Sequence, residues 1–194
     1  TGLNGVEFED VKTSVFDSPF HYNDQVTYYQ YSGTDGQSPD VLAKMIIMCH
    51  KRYNKRMMVL FTSRVQLEAT FQLLQRSSGG RDLPIFAQKR QTSRMGLVRG
   101  MHQTSNGILL GTNAFWEGVD FPGDLLEILI IVKMPFDVPT EPLVKAYGDL
   151  IESQGGSRFI NFALPESVIR FRQGFGRLIR TAYDEGIFIV MDDR

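Results

Sequence analysis

The hydrophobic positions of this chain fall into short blocks separated by polar stretches punctuated with Gly and Pro. MMVLF (57–61), PIFAQ (84–88), GILLG (107–111), LEILIIVKM (126–134) and GIFIVM (186–191) are the blocks, and the longer ones are apolar at consecutive positions. A strand with one wet face alternates apolar and polar residues. A run without alternation has apolar partners on both faces, the habit of a parallel sheet covered by helices on both sides. Between the blocks, apolar residues recur at helical spacing. Ser38-Pro39-Asp40 supplies an N-cap, a proline at the first helical position and an acid in the first turn. It predicts a helix of about 14 residues, to Tyr53. Leu67, Phe71 and Leu74 repeat at i, i+4, i+7 after MMVLF. Thr140-Glu141-Pro142 opens another helix, with Leu143, Ala146, Tyr147 and Leu150 on one stripe, and Pro165-Glu166 opens one that runs through Arg180. This alternation predicts an α/β fold, a mostly parallel sheet with right-handed crossovers and helices on both faces. Ligands of such sheets sit beyond the carboxyl ends of the strands. Function is therefore expected in FTSR (61–64), QKRQTSR (88–94), GTNAFWEGVDFPGD (111–124) and KMPFDVPTEP (133–142).

The helix ending in QGFGRLIR poses the sharpest chemical question. At 100° per residue, Arg177 falls about 40° to one side of Gln173 and Arg180 about 20° to the other, with Gly176 nearby. Phe171, Phe175, Leu178 and Ile179 fall on the opposite half. One half packs on the sheet; the other offers an amide, a bare patch of backbone and two guanidinium groups. Phosphate explains this geometry best, because the planar guanidinium fork matches its oxygens bidentately. Gly176 costs about 1 kcal/mol relative to Ala inside a helix, so close approach of a ligand or backbone is expected there. The alternative is a solvated basic face paired with Asp184 or Glu185.

The loop after GILLG carries Thr112 at the strand exit, a hydroxyl and N–H suited to a phosphate. Glu117 and Asp120 bracket Gly118 and can bond a ribose hydroxyl or steer an arginine. Trp116 is either a packing anchor or a surface for a base. Net charge narrows the choice further. With 21 Lys and Arg against 22 Asp and Glu, the chain has no global pull toward nucleic acid or membrane, so a polyanion site must be a local patch. Lys51, Arg52, Lys55 and Arg56 read as a solvated helix end, whereas Lys89, Arg90, Arg94 and Arg99 follow a strand and are candidates for phosphate contact. Tyr28, Tyr29 and Tyr31 read as strand residues packed in the sheet. The single cysteine, Cys49, sits in an apolar helical pattern and excludes a disulfide framework or a four-Cys metal site within this segment. His21, His50 and His102 are too scattered for a metal site. No apolar run approaches the roughly 20 residues that span a bilayer.

These motifs together resemble the second motor domain of superfamily 2 helicases, in the XPD/DinG group. Gln173-x-x-Gly176-Arg177-x-x-Arg180 is similar to helicase motif VI, Thr112 through Gly118-x-Asp120 to motif V, and Thr62-Ser63-Arg64 after MMVL to motif IV. KMPF, with its Pro-rich turn, and DSPF (17–20) resemble the DinG branch. The resemblance implies one RecA-like domain over residues 1–194, a piece of a longer chain, from a cytoplasmic, nucleoid-associated bacterial helicase. It implies ATP in a cleft between two such domains. The first motor domain supplies the phosphate loop and the magnesium ligands, and Arg177 and Arg180 act as arginine fingers. Gln173, Gly176, Glu117, Gly118 and Asp120 then match nucleotide-side positions. Thr62, Ser63, Arg64, Thr112 and Asn113 match positions on the backbone of single-stranded DNA. No G-x-x-x-x-G-K-[ST] occurs in this chain, so the segment alone is expected to be inactive, and no iron–sulfur cluster is expected within it. A second expectation is a non-hydrolysing single-strand-binding module of a DinG-type nuclease.

Overall fold

The computed structural model describes residues 14, 20–89, 91–112, 115 and 126–193. In chain order the elements are α1 (Tyr22–Gln25), β1 (Val26–Gln30), α2 (Pro39–Tyr53), β2 (Met57–Leu60), α3 (Arg64–Arg76), β3 (Ile85–Ala87), α4 (Arg94–His102), β4 (Ile108–Gly111), β5 (Ile128–Ile131), α5 (Pro142–Ser153), a π-helix (Phe159–Ala163), α6 (Leu164–Phe175) and β6 (Gly186–Val190). The strands form one sheet in the order β1-β6-β5-β2-β4-β3. Every pairing is parallel.

The consecutive apolar runs do line both faces of this sheet. Met57, Val59, Ile108, Leu110, Ile128 and Ile130 point to one side, where α2 and α3 bury Leu42, Ile46, Cys49, Leu67 and Leu74. Met58, Leu60, Leu109, Leu129 and Ile131 point to the other, under Leu97 and Met101 of α4, Phe115, and Leu178 and Ile179 beyond α6. The period of two that splits each strand between these layers follows from the pleat. Helix α2 begins where the cap was expected: the Ser38 hydroxyl accepts from the Val41 N–H at 3.3 Å. It ends at Asn54, whose φ of 51° turns the chain out of the helix. The basic run over its last turn and just beyond it is dispersed among separate partners. Arg52 lies over the Tyr53 ring, Lys55 pairs with Glu127 at 3.1 Å, and Arg56 Nε donates to the Thr104 carbonyl.

Three expectations change. Helix α6 stops at Phe175 instead of running through Arg180. The Gly176 and Leu178 N–H groups close its end on the Arg172 and Phe175 carbonyls, at 2.8 and 2.9 Å. Gly176 is thus the residue that ends the helix, and its interior cost does not apply. The apolar stripe of α5 is exposed: Leu143, Tyr147 and Leu150 are 70%, 51% and 53% accessible. The buried position of α5 is Gly148, where a Cβ would lie 2.4 Å from Arg158 Nε, and Arg158 crosses the helix to Asp149 and Glu152. Tyr28 and Tyr29 do lie in a strand, but in the edge strand β1, and both are exposed. Among the described residues, no helix is long and apolar enough to cross a membrane.

Cys49 is buried on α2, and burial pushes its thiol up to about 11. A raised thiol favours the neutral form, and only the thiolate reacts readily. The folded chain is expected to resist thiol reagents at about pH 8 and to label at the rate of global unfolding. Immediate labelling would show that α2 does not pack on the sheet.

Candidate functional site

A parallel sheet buried on both faces leaves its polar chemistry to the two rims, and this chain uses both. At the carboxyl rim, α2, α3 and α4 all begin, each capped by a serine: Ser38, Ser63 and Ser93 accept from Val41, Gln66 and Gly96 N–H groups. Helix N-termini carry partial positive charge, so the rim favours anions. Arg64 is exposed at the start of α3 and shares a cleft of about 570 Å³ with Glu68, Gln72, Gln88 and Lys89. Arg94 opens α4 on the same rim. Lys89 lies 4.7 Å from the centre of the Phe71 ring, which holds its ammonium near the cleft.

Thr62, Ser63 and Arg64, adjacent in sequence, stand on this rim. Thr62 and Ser63 are half-buried beside exposed Arg64. Thr112 is at the same rim but is buried, and its N–H and hydroxyl donate to the Gln88 side chain at 2.8 and 2.9 Å. Contact between Thr112 and a phosphate requires that pair to open. Asn113, Trp116, Glu117, Gly118 and Asp120 lie outside the described residues, as do Arg90 and positions 17–19 of DSPF.

The arginines lie on the other side of the sheet, in the turn between α6 and β6. Gln173 is exposed on the last turn of α6, and Arg180 is half-buried. Arg177 turns inward, is 8% exposed and donates to the Phe115 carbonyl. The three side chains do not form the single helical face that the spacing predicts, because the helix ends between them. Arg177 and Arg180 nevertheless line one open cleft of about 460 Å³, with Lys55, Glu127, Thr181, Tyr183, Asp184 and Glu185.

Close packing and long-range bonds hold this turn. Leu178 fits against Gly186 so tightly that a Cβ there would lie 2.4 Å from its Cγ. Asp184 accepts from the Arg180 N–H at 2.7 Å and from the Thr181 N–H and hydroxyl at 2.8 and 2.7 Å. From another element, the Gln25 amide donates to the Thr181 and Asp184 carbonyls, both at 3.0 Å. Burial alone would raise the Asp184 carboxyl. The Thr181 hydroxyl, the two N–H groups and the Arg180 charge outweigh it and hold the group below its ordinary 3.8. Tyr183, at the tip, is 95% exposed.

Sequence reasoning missed Gln25, Gln88 and the Phe115 carbonyl. Only Gln88 carried a signal, as the first residue of the loop QKRQTSR. Among the described residues, no group of three or more His, Cys, Asp or Glu side chains is placed to hold a metal.

The model of the helicase C-terminal domain matches residues 46–194. Over 191 residues the chain is 37% identical to the 3′-5′ exonuclease DinG of Bacillus subtilis (strain 168), covering 94% of this chain and 20% of that protein. Over 190 residues it is 33% identical to the ATP-dependent DNA helicase YoaA of Escherichia coli (strain K12), covering 96% of this chain and 29% of that protein. Among solved structures, apo XPD superimposes with a TM-score of 0.63 at 16% identity, over 84% of this chain and 34% of that one. The architecture is the RecA-like one, a parallel sheet between helical layers. The chain spans between a fifth and a third of the length of these relatives.

Two outcomes follow from the turn. A carboxyl held below its unfolded value contributes stability that is present above about pH 3.8 and lost as pH falls through its folded value. The stability difference between wild type and Asp184→Asn, from urea unfolding, is expected to be full at neutral pH and to shrink in acid. A constant difference would mean that the ring of bonds around Asp184 does not form. Gly186→Ala drives a methyl into Leu178 and is expected to cost about 1–3 kcal/mol, read from the shift of the urea midpoint at constant m-value.

Proposed function

The chain belongs to the helicase C-terminal domain family, and from that premise we propose that it is the second motor domain of an ATP-driven DNA helicase of the DinG type. The placement of Arg177 and Arg180 on one open cleft carries this reading. In it, a nucleotide held by the first motor domain enters that cleft, and the arginine forks meet the oxygens of its terminal phosphate. A guanidinium there offsets the charge that builds up as the phosphoryl group transfers, an effect of about 10³ to 10⁵ in rate in related hydrolases. It does so only when the two domains close, which ties hydrolysis to movement. To meet a phosphate, Arg177 must swing away from the Phe115 carbonyl or reach past it. Gln173, Gly176, Glu117, Gly118 and Asp120 belong to the nucleotide side by their match to the family's motifs.

The carboxyl rim is the single-stranded DNA side. Thr62, Ser63, Arg64, Thr112 and Asn113 touch the sugar–phosphate backbone there, with the N-termini of α3 and α4 and the Lys89 and Arg94 charges behind them. Backbone contact suits a motor that steps on any sequence. Magnesium comes with ATP and is held by the first domain. A second reading has its own support: the relative at 37% identity is named an exonuclease. In this second reading, the present domain grips a strand for a nuclease without hydrolysing ATP.

Arg180→Lys separates the two readings, because Lys keeps the charge and loses the fork. In the full-length protein the motor reading expects a loss of about 10³ or more in strand-stimulated ATPase, with strand binding kept. Normal turnover in that variant removes the finger assignment. A wild-type protein that binds strands without hydrolysis supports the nuclease module. Arg64→Ala is expected to weaken binding of all sequences alike and to lower the slope of log K against log salt by about 1, as measured by fluorescence anisotropy. A sequence-dependent loss would mean that Arg64 reads bases.

A further inference from the structure

One buried carboxylate at the carboxyl rim lies outside every motif named above. Asp192 stands two residues beyond β6 and is 2% exposed. Its Oδ2 accepts from the Met134 N–H at 2.9 Å, in the segment after β5. Its Oδ1 accepts from the Gln37 side-chain amide at 3.2 Å, in the segment before α2. The Gln37 main-chain carbonyl in turn accepts from the Gln66 side chain at 2.5 Å. The Gln66 N–H donates to the Ser63 hydroxyl at 3.4 Å. A single line of hydrogen bonds thus runs from the end of β6, through the approach to α2, to the first turn of α3.

Burying an ionised carboxylate is unfavourable unless its oxygens are bonded. Asp192 meets that condition by joining segments that follow three different strands, β1, β5 and β6. Each of those segments is irregular, and the Asp192 bonds join them beyond their main-chain ties at the strand ends, Tyr31 N–H to Val190, Val132 N–H to Leu60 and Met191 N–H to Ile131. The first turn of α3 is where Ser63 and Arg64 stand. At its other end, β6 begins two residues after Asp184, the acid that organises the Arg180 turn. The same short strand therefore has the arginine turn at one end and the anchor of the α3 turn at the other.

We propose that Asp192 is a positioning residue for single-strand binding: acting through Gln37 and Gln66, it sets the first turn of α3 so that Ser63 and Arg64 meet consecutive backbone phosphates. This rests on the assignment of the carboxyl rim to single-stranded DNA. Asp192 itself touches no nucleic acid in this scheme. Its effect is on the affinity for the strand and on how much strand is needed to stimulate hydrolysis, and unstimulated hydrolysis does not depend on it.

The test uses the full-length protein, with oligo-dT binding by anisotropy, ATPase with and without oligo-dT, and thermal unfolding. Gln37→Glu sets a carboxylate against Asp192. Gln66→Met removes the next link without adding charge. Each is expected to weaken oligo-dT binding about five- to tenfold, the effect of one hydrogen bond. Each is also expected to raise the oligo-dT concentration for half-maximal ATPase in proportion, with unstimulated turnover within about twofold. Adding Asp192→Asn to Gln37→Glu restores a donor facing an acceptor, with the bond reversed, and is expected to recover wild-type binding. The same addition to Gln66→Met is expected to recover nothing. Wild-type affinity in Gln66→Met overturns the proposal. So does failure of Asp192→Asn to rescue Gln37→Glu. Rescue of both variants overturns it too, since that is the signature of net charge alone. If wild type neither binds oligo-dT nor shows strand-stimulated ATPase, the motor reading has failed first, and the inference falls with it.

Discussion

The structure depends on a sheet that is dry on both faces. The side chains of β2, β4 and β5 are fully buried, and they pair with helices on one layer and with α4, Phe115 and the end of α6 on the other. A polar group cannot be placed on either face without losing water it cannot replace. All charge and hydrogen bonding that serve function are therefore pushed to the rims, where strands end and helices begin. The parallel direction of the strands makes the two rims unlike each other. One receives helix N-termini and collects anion-binding groups; the other receives the turn that leaves α6 and carries the arginines.

In the motor reading proposed above, this separation lets one domain serve a nucleotide and a DNA strand, which are both polyphosphates. Each rim has its own guanidinium groups, and the sheet holds the two apart at a fixed spacing. Strand β6 spans that distance. It emerges from the arginine turn, whose Asp184 carboxylate binds the N–H groups of Arg180 and Thr181, and it ends at the buried Asp192 carboxylate. Both ends are organised by an acid that accepts from main-chain N–H donors, Arg180 and Thr181 at one end and Met134 at the other. The arginine turn is also closed from outside by Gln25, which ties it to the start of β1, the neighbour of β6.

Much of this was legible locally. Consecutive apolar residues disclosed the buried strands because burial on both faces removes the polar alternation. The Ser38-Pro39-Asp40 cap disclosed α2, because capping involves groups three residues apart. The edge strand β1 was signalled only by its tyrosines, and α4 was not expected. The stripe on α5 has the spacing of a packed face and is exposed. Periodicity shows which residues share a face, and not whether anything covers it. The extent of α6 was misread for a related reason. A glycine inside a helical pattern and a glycine that stops a helix look alike until the following residues are seen to pack, as Leu178 packs on Gly186.

By itself, the order of residues determined the layers, the strand direction and the motifs that mark the chain as a helicase domain, because those depend on burial and on short-range spacing. Tertiary structure alone decided that Arg177 turns in toward Phe115, that Gln88 holds Thr112, and that Asp192 reaches Gln37 across 155 positions of sequence. A hydrogen bond is a few ångströms long and indifferent to how much chain lies between its ends. Only the crossover pattern of the sheet determines which distant polar groups arrive at the same rim.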